Sequence, residues 1–80
     1  MRFEVAIHRR DGLRDPEGLA TLRAIQDLGH TAVTEVHFGR VITVDIDSAD
    51  QTAAQSEVVE MCERLLANPV IEDYTVEFVE

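Results

Sequence analysis

The side chains able to do chemistry in this chain are few and scattered. Its three histidines are His8, His30 and His37. None pairs with another at helical i, i+4 spacing and none stands beside Cys62, so no metal-ligand motif is written into the chain. Cys62 lies in "VVEMCERLL", flanked by Met61 and Leu65. A nucleophilic thiol needs an exposed, electropositive setting, and this one reads as a buried structural thiol. "DIDSAD", Asp45 to Asp50, opens like a calcium loop. The sixth position is Asp50 rather than Gly and the twelfth is Ser56 rather than Glu, so the acids read as a solvated strand end before a helix. "HRRDG", His8 to Gly12, puts two arginine forks in one loop, which suits either a phosphate or an ordinary surface turn.

Composition narrows the classes further. Sixteen acids against seven bases give a net charge of −9. Nucleic acids and anionic membranes both demand a basic face, so neither is an expected partner. All the bases are arginine, which removes Schiff-base and P-loop lysines. Apolar residues make up 45% and charged residues 29%, as in a soluble globular domain. No stretch approaches the length needed to span a membrane and the N-terminus lacks a signal-peptide pattern, so the expected location is cytoplasmic. Eighty residues make a single domain, residues 1–80, with marginal stability of its own. One cysteine permits no internal disulfide, and oligomerisation is the remaining way to strengthen so small a core.

The elements that would position these groups follow from periodicity. "RFEVAIHR" alternates, with Phe3, Val5 and Ile7 on one face of a strand. Asp15 and Pro16 open a first helix as cap and first-turn residue, Leu19, Leu22, Ile25 and Leu28 recur along it, and Gly29 suits a left-handed C-terminal cap. Gly18 weakens the first turn and implies a packing reason. "AVTEVHFGRVITVDID" predicts a hairpin: Val36 and Phe38 lead in, Gly39-Arg40 turn, and Ile42, Val44 and Ile46 lead out. Ser48 and Gln51 form a candidate capping box for a second helix. Its apolar stripe is Ala54, Val58, Met61, Cys62 and Leu65, widened by Val59 and Leu66 beyond what one sheet would cover. Asn68, expected in the left-handed region, and Pro69 end that helix. A last strand carries Tyr74, Val76 and Phe78 on one face. The order β-α-β-β-α-β predicts an α+β ferredoxin-like sandwich, two helices on one face of a four-stranded antiparallel sheet with the first and third strands central.

Enzymes and chaperones with this element order carry signatures that are missing. Acylphosphatases need an Asn on the sheet, and the one Asn here is Asn68, after the second helix. Metal chaperones need a Cys-x-x-Cys in the first loop. RNA-recognition domains need sheet aromatics and a basic face. The residues by themselves describe a small acidic domain with no self-contained active site and an oligomer interface.

One run is more definite than that description requires. "MCERLLANPVIEDY", Met61 to Tyr74, resembles the C-terminal signature of the PurS family, the small subunit of phosphoribosylformylglycinamidine (FGAM) synthase. "RDPEG", Arg14 to Gly18, resembles that family's first helix start, and "EVHFGRVITVDI", Glu35 to Ile46, resembles its hairpin, with Arg40 where a Lys is common. The resemblance covers nearly the whole chain. The departures are the absence of lysine and a more polar "HRRDGL" loop.

The resemblance implies the fourth step of purine synthesis: formylglycinamide ribonucleotide, ATP and glutamine give FGAM, ADP, phosphate and glutamate. It implies that this chain holds no catalytic, cofactor-binding or metal-binding residue. ATP and Mg²⁺ belong to the large synthetase subunit, PurL, and glutamine hydrolysis to the glutaminase subunit, PurQ. The small subunit bridges the two as a homo-oligomer, dimer or tetramer, and helps ammonia pass between them. On this reading Asn68, Pro69, Ile71, Asp73 and Tyr74 shape a contact surface, or Asn68-Pro69 is no more than a helix stop. Gly39 and Arg40 are a bare hairpin tip or a docking point. The alternative function is a regulatory module of the ACT type, which has the same element order and binds small molecules.

Overall fold

A computed structural model describes residues 1–80. Strand β1, Arg2–Arg9, is central, and both neighbours run antiparallel to it: β2, Gly39–Asp45, on one side and β3, Glu72–Phe78, on the other. Helix α1 spans Pro16–Asp27; helix α2 spans Gln51–Met61 and continues into a π-helical turn, Cys62–Leu66. The sheet therefore has three strands, not the expected four. Its β2-β1-β3 order is the ferredoxin-like order with one strand missing.

The core lies between one face of this sheet and α2. Phe3, Val5 and Ile7 of β1 meet Ala54, Val58 and Cys62, all 1% exposed or less, and Ala67 completes the cluster. Register brings Ile42 and Val44 of β2 and Tyr74, Val76 and Phe78 of β3 alongside on the same face. The rings of Phe3 and Phe78 meet edge to face at 5.6 Å.

Two details of α2 differ from expectation. Its cap is Asp50, whose side chain accepts from Thr52 and Ala53 N–H, while Ser48 Oγ is occupied by the Asp50 backbone. Its inward ladder runs 54, 58, 62 and then 66 and 67. The π turn adds a residue, closed by Ala67 N–H donating to Cys62 O at 3.1 Å. Leu65 is thereby left 81% exposed and Met61 36% exposed, although both belong to the stripe read from the sequence. The Glu60–Arg64 pair does form, at 3.4 Å.

Helix α1 does not lie on the sheet. It makes no substantial contact with any strand or with α2, and no residue of it enters the core. Asp15 caps it through Gly18 N–H at 3.0 Å, Pro16 occupies the first turn, and Gly29, at φ +103°, closes it. Gly29 and His30 N–H return to Gln26 and Ile25 carbonyls, a Schellman closure. Residues 31–38 then run back along α1 instead of forming a strand. Asp15 is the reason: its other oxygen accepts Phe38 N–H at 2.8 Å, pulling the segment against the helix start. A Cβ on Gly18 would stand 2.0 Å from Val36 O, so only glycine allows that approach. Gly39 and Arg40 begin a strand and are not a turn. Helix and returning segment form an arm beyond the end of β1. The molecule measures 50 × 27 × 14 Å, with a radius of gyration of 16.1 Å. A compact chain of this length would have about 12 Å.

Candidate functional site

All seven candidate interface residues gather around the C-terminal end of β1. Gly39 pairs with His8, Arg40 with Ile7, Asp73 with His8 and Tyr74 with Ile7, and Asn68, Pro69 and Ile71 lie on the loop that enters β3. The sequence separates these residues by up to thirty-five positions; β1 brings them together because both of its neighbours are antiparallel to it.

Arg40 is the centre of a clamp. It reaches over the core end and forks onto Glu72, Nη1 to Oε2 at 2.8 Å and Nη2 to Oε1 at 3.1 Å. The same Nη2 donates to Leu66 O at 2.9 Å, supplying a partner for a helix-end carbonyl that has none within the helix. Glu72 Oε1 also accepts Asn68 N–H at 2.7 Å. The Glu72 side chain is only 12% exposed. The Arg40 hydrogen bond, and then that of Asn68, hold its carboxyl below the usual carboxylate range, and Glu72 in turn raises Arg40. The clamp joins the edge strand β2, the end of α2 and the entry to β3.

Asn68 ends the helix differently from the expected left-handed cap, since no residue but glycine has positive φ. A residue before proline is pushed toward extended geometry. The helix already ends at the extended Ala67, and Asn68 Oδ1 accepts Val70 N–H at 3.0 Å. Arg10 holds the loop from the other side, donating to Pro69 O at 2.6 Å and pairing with Asp73 at 3.3 Å. Tyr74 sits on the core face and donates its hydroxyl to Glu63, which pushes its pKa up to about 12. Burial, aided by Glu63, raises the Cys62 thiol, the opposite of nucleophile activation.

Most of the candidates are thus tied up inside the chain. The free surface at this end is apolar: Leu65, Val70 at 74% exposed and Ile71 at 37%. Sequence reading missed Arg10, Glu72, Leu65 and Val70. The four-residue ladder 54-58-62-66 is the signal that excludes Leu65 from the core. Nothing local marks Arg10 or Glu72, whose partners are distant in sequence. No group of three or more His, Cys, Asp or Glu side chains lies close enough to hold a metal ion. No helix is long and apolar enough to cross a membrane. This end of the molecule is equipped to bind a surface rather than to transform a substrate.

The family model described as PurS, phosphoribosylformylglycinamidine (FGAM) synthase, matches residues 2–80. This chain belongs to the PurS family. The Archaeoglobus fulgidus phosphoribosylformylglycinamidine synthase subunit PurS is 43% identical over 76 residues, covering 95% of each chain. The Bacillus subtilis PurS structure superposes with a TM-score of 0.84 at 34% identity, covering 99% of this chain and 98% of that one. A chain of the Thermotoga maritima PurLQS structure does so at 0.85 with 30% identity, covering 99% of each. The resemblance read from Met61 to Tyr74 therefore extends over the whole PurS fold. The assignment also displaces the ACT-type alternative.

Proposed function

We propose that this PurS chain joins a PurL-type synthetase to a PurQ-type glutaminase in FGAM synthase and contributes no catalytic group of its own. The observation that carries this reading is its end-to-end likeness to a chain of the PurLQS structure. On this reading the chain is the non-catalytic subunit of a cytoplasmic, ATP-consuming carbon–nitrogen ligase. ATP and Mg²⁺ serve the synthetase, and the chain works as a homo-oligomer. The surface around Leu65, Val70 and Ile71, positioned by the Arg40 clamp, is the proposed contact with a partner subunit. Gly39, Asn68, Pro69, Asp73 and Tyr74 shape it from behind.

The physical need for such a subunit is clear. Ammonia released into bulk water is protonated and lost as a nucleophile, whereas a closed, oriented route preserves its effective concentration. Reconstitution of synthetase and glutaminase, with and without this chain, tests the proposal. FGAM formation from glutamine is expected to require the chain, and Ile71→Asp, on an exposed side chain, is expected to weaken that requirement without unfolding it. Glutamine-driven synthesis that proceeds equally well without the chain would end this reading.

A further inference from the structure

The arm leaves one edge of the molecule bare over an unusual length. β2 is terminal in the sheet, so one side of it has no strand partner. Met1 and Ile46 exchange both hydrogen bonds, Met1 N to Ile46 O at 2.8 Å and Ile46 N to Met1 O at 2.9 Å. In an antiparallel ladder the facing residues then alternate. Arg40, Ile42 and Val44 turn their backbone groups to β1, and Gly39, Val41, Thr43 and Asp45 turn theirs outward. The alternation continues into the arm. Val36 O faces Gly18 and Phe38 N–H is taken by Asp15, so Glu35 and His37 also face outward. No backbone–backbone hydrogen bond reaches Glu35 or His37. The outcome is one extended edge from Glu35 to Asp45, about 35 Å of strand. No proline, lysine or bulge protects it, the devices by which monomeric proteins blunt such edges.

We infer that this edge is the interface between two copies of the chain, paired antiparallel about a two-fold axis at Val41. The inference deepens the homo-oligomer part of the proposed function and rests on it. Charge selects the second copy and the register. With Val41 opposite its own symmetry mate, His37 of each copy stands opposite Asp45 of the other. Arg2, bound to Asp45 at 2.8 Å, and Glu35, at 3.2 Å from His37, extend this into an alternating row: Arg2, Asp45, partner His37, partner Glu35. On the α2 side Phe38, 44% exposed in the single chain, meets the partner's Val44. Centring on Arg40 instead would oppose two guanidinium groups and set Glu35 against Asp45. Centring on Gly39 would leave His37 opposite an apolar side chain. The ladder from residue 37 to residue 45 supplies about ten hydrogen bonds, as many as a typical specific interface carries. The paired chains form one continuous six-stranded sheet.

Light scattering or sedimentation of the full chain at micromolar concentration tests this. The expected mass is twice the 9.0 kDa of one chain or an even multiple of it. Val41→Asp puts two carboxylates across the axis at a side chain 63% exposed in the single chain. It is expected to halve the mass with unchanged circular dichroism, and high salt is expected to restore part of the association. Should that variant fail to fold, Val41→Cys decides. Its two thiols lie across the axis at disulfide distance and are expected to crosslink rapidly, while Cys62 is buried. A folded Val41→Asp chain of full mass, or a Val41→Cys chain that does not crosslink, overturns the edge pairing and leaves self-association standing. A monomeric native chain overturns both. Glutamine-driven synthesis reports separately on the subunit role.

Discussion

The sheet-and-α2 body and the α1 arm are made from similar apolar residues and treat them in opposite ways. In the body, Phe3, Val5, Ile7, Val58 and Cys62 are sealed between two layers. In the arm, Leu19 is 41% exposed and Leu28 79% exposed, and nothing but an extended segment covers the helix. An isolated helix of twelve residues is marginal in water. The arm owes its position to a few specific contacts, Asp15 with Phe38 and Gly18 with Val36, where the body owes its stability to burial. The lesson is a division of labour. The body folds on its own core and presents the Arg40 end, while the arm displays a strand edge and an apolar helix that a single chain leaves open.

The largest test of that division is in the body. Phe3→Ala removes a fully buried ring and is expected to cost about 3–5 kcal/mol, enough to unfold much of a domain this small. Urea unfolding followed by circular dichroism measures it, and a loss under 1 kcal/mol would mean that the core is not what holds the body together. Gly18→Ala should act on the arm alone. The added Cβ cannot coexist with Val36 O at 2.0 Å, so the returning segment must move, at about 1–3 kcal/mol. Hydrogen exchange at Phe38 is expected to rise by roughly fivefold or more, while Val5 and Ile7 stay protected. Exchange rising equally in β1 would show that arm and body are one cooperative unit.

A third prediction concerns pH and has the smallest effect under ordinary conditions. Tyr74 is the one tyrosine, so its ultraviolet titration can be read without overlap. Its hydrogen bond to Glu63 favours the neutral phenol and raises its pKa to about 12. The unfolded chain loses this proton near ~10. The bond's contribution is therefore complete below pH ~10 and is lost as pH rises toward 12. Glu63→Gln is expected to move the titration back toward ~10. Titration near ~10 in the native chain would show that the bond does not form in solution.

Much of the fold was legible in the residues because it is local. Alternation in "RFEVAIHR" placed β1 and its buried face, Asp15-Pro16 and Gly29 bounded α1, and the run to Tyr74 carried the family. Three features were not legible, for one shared reason. The path of residues 33–38 was decided by Asp15 accepting Phe38 N–H, the exit of Leu65 from the core by the π turn, and the role of Arg40 by Glu72, thirty-two positions away. Valines and a phenylalanine at alternating positions satisfy a strand wherever they lie, in a sheet or along a helix. Periodicity records which side of an element is apolar. Which surface meets that side, and whether it belongs to the same chain, is set by contacts between residues far apart in sequence, and only the tertiary structure decides them.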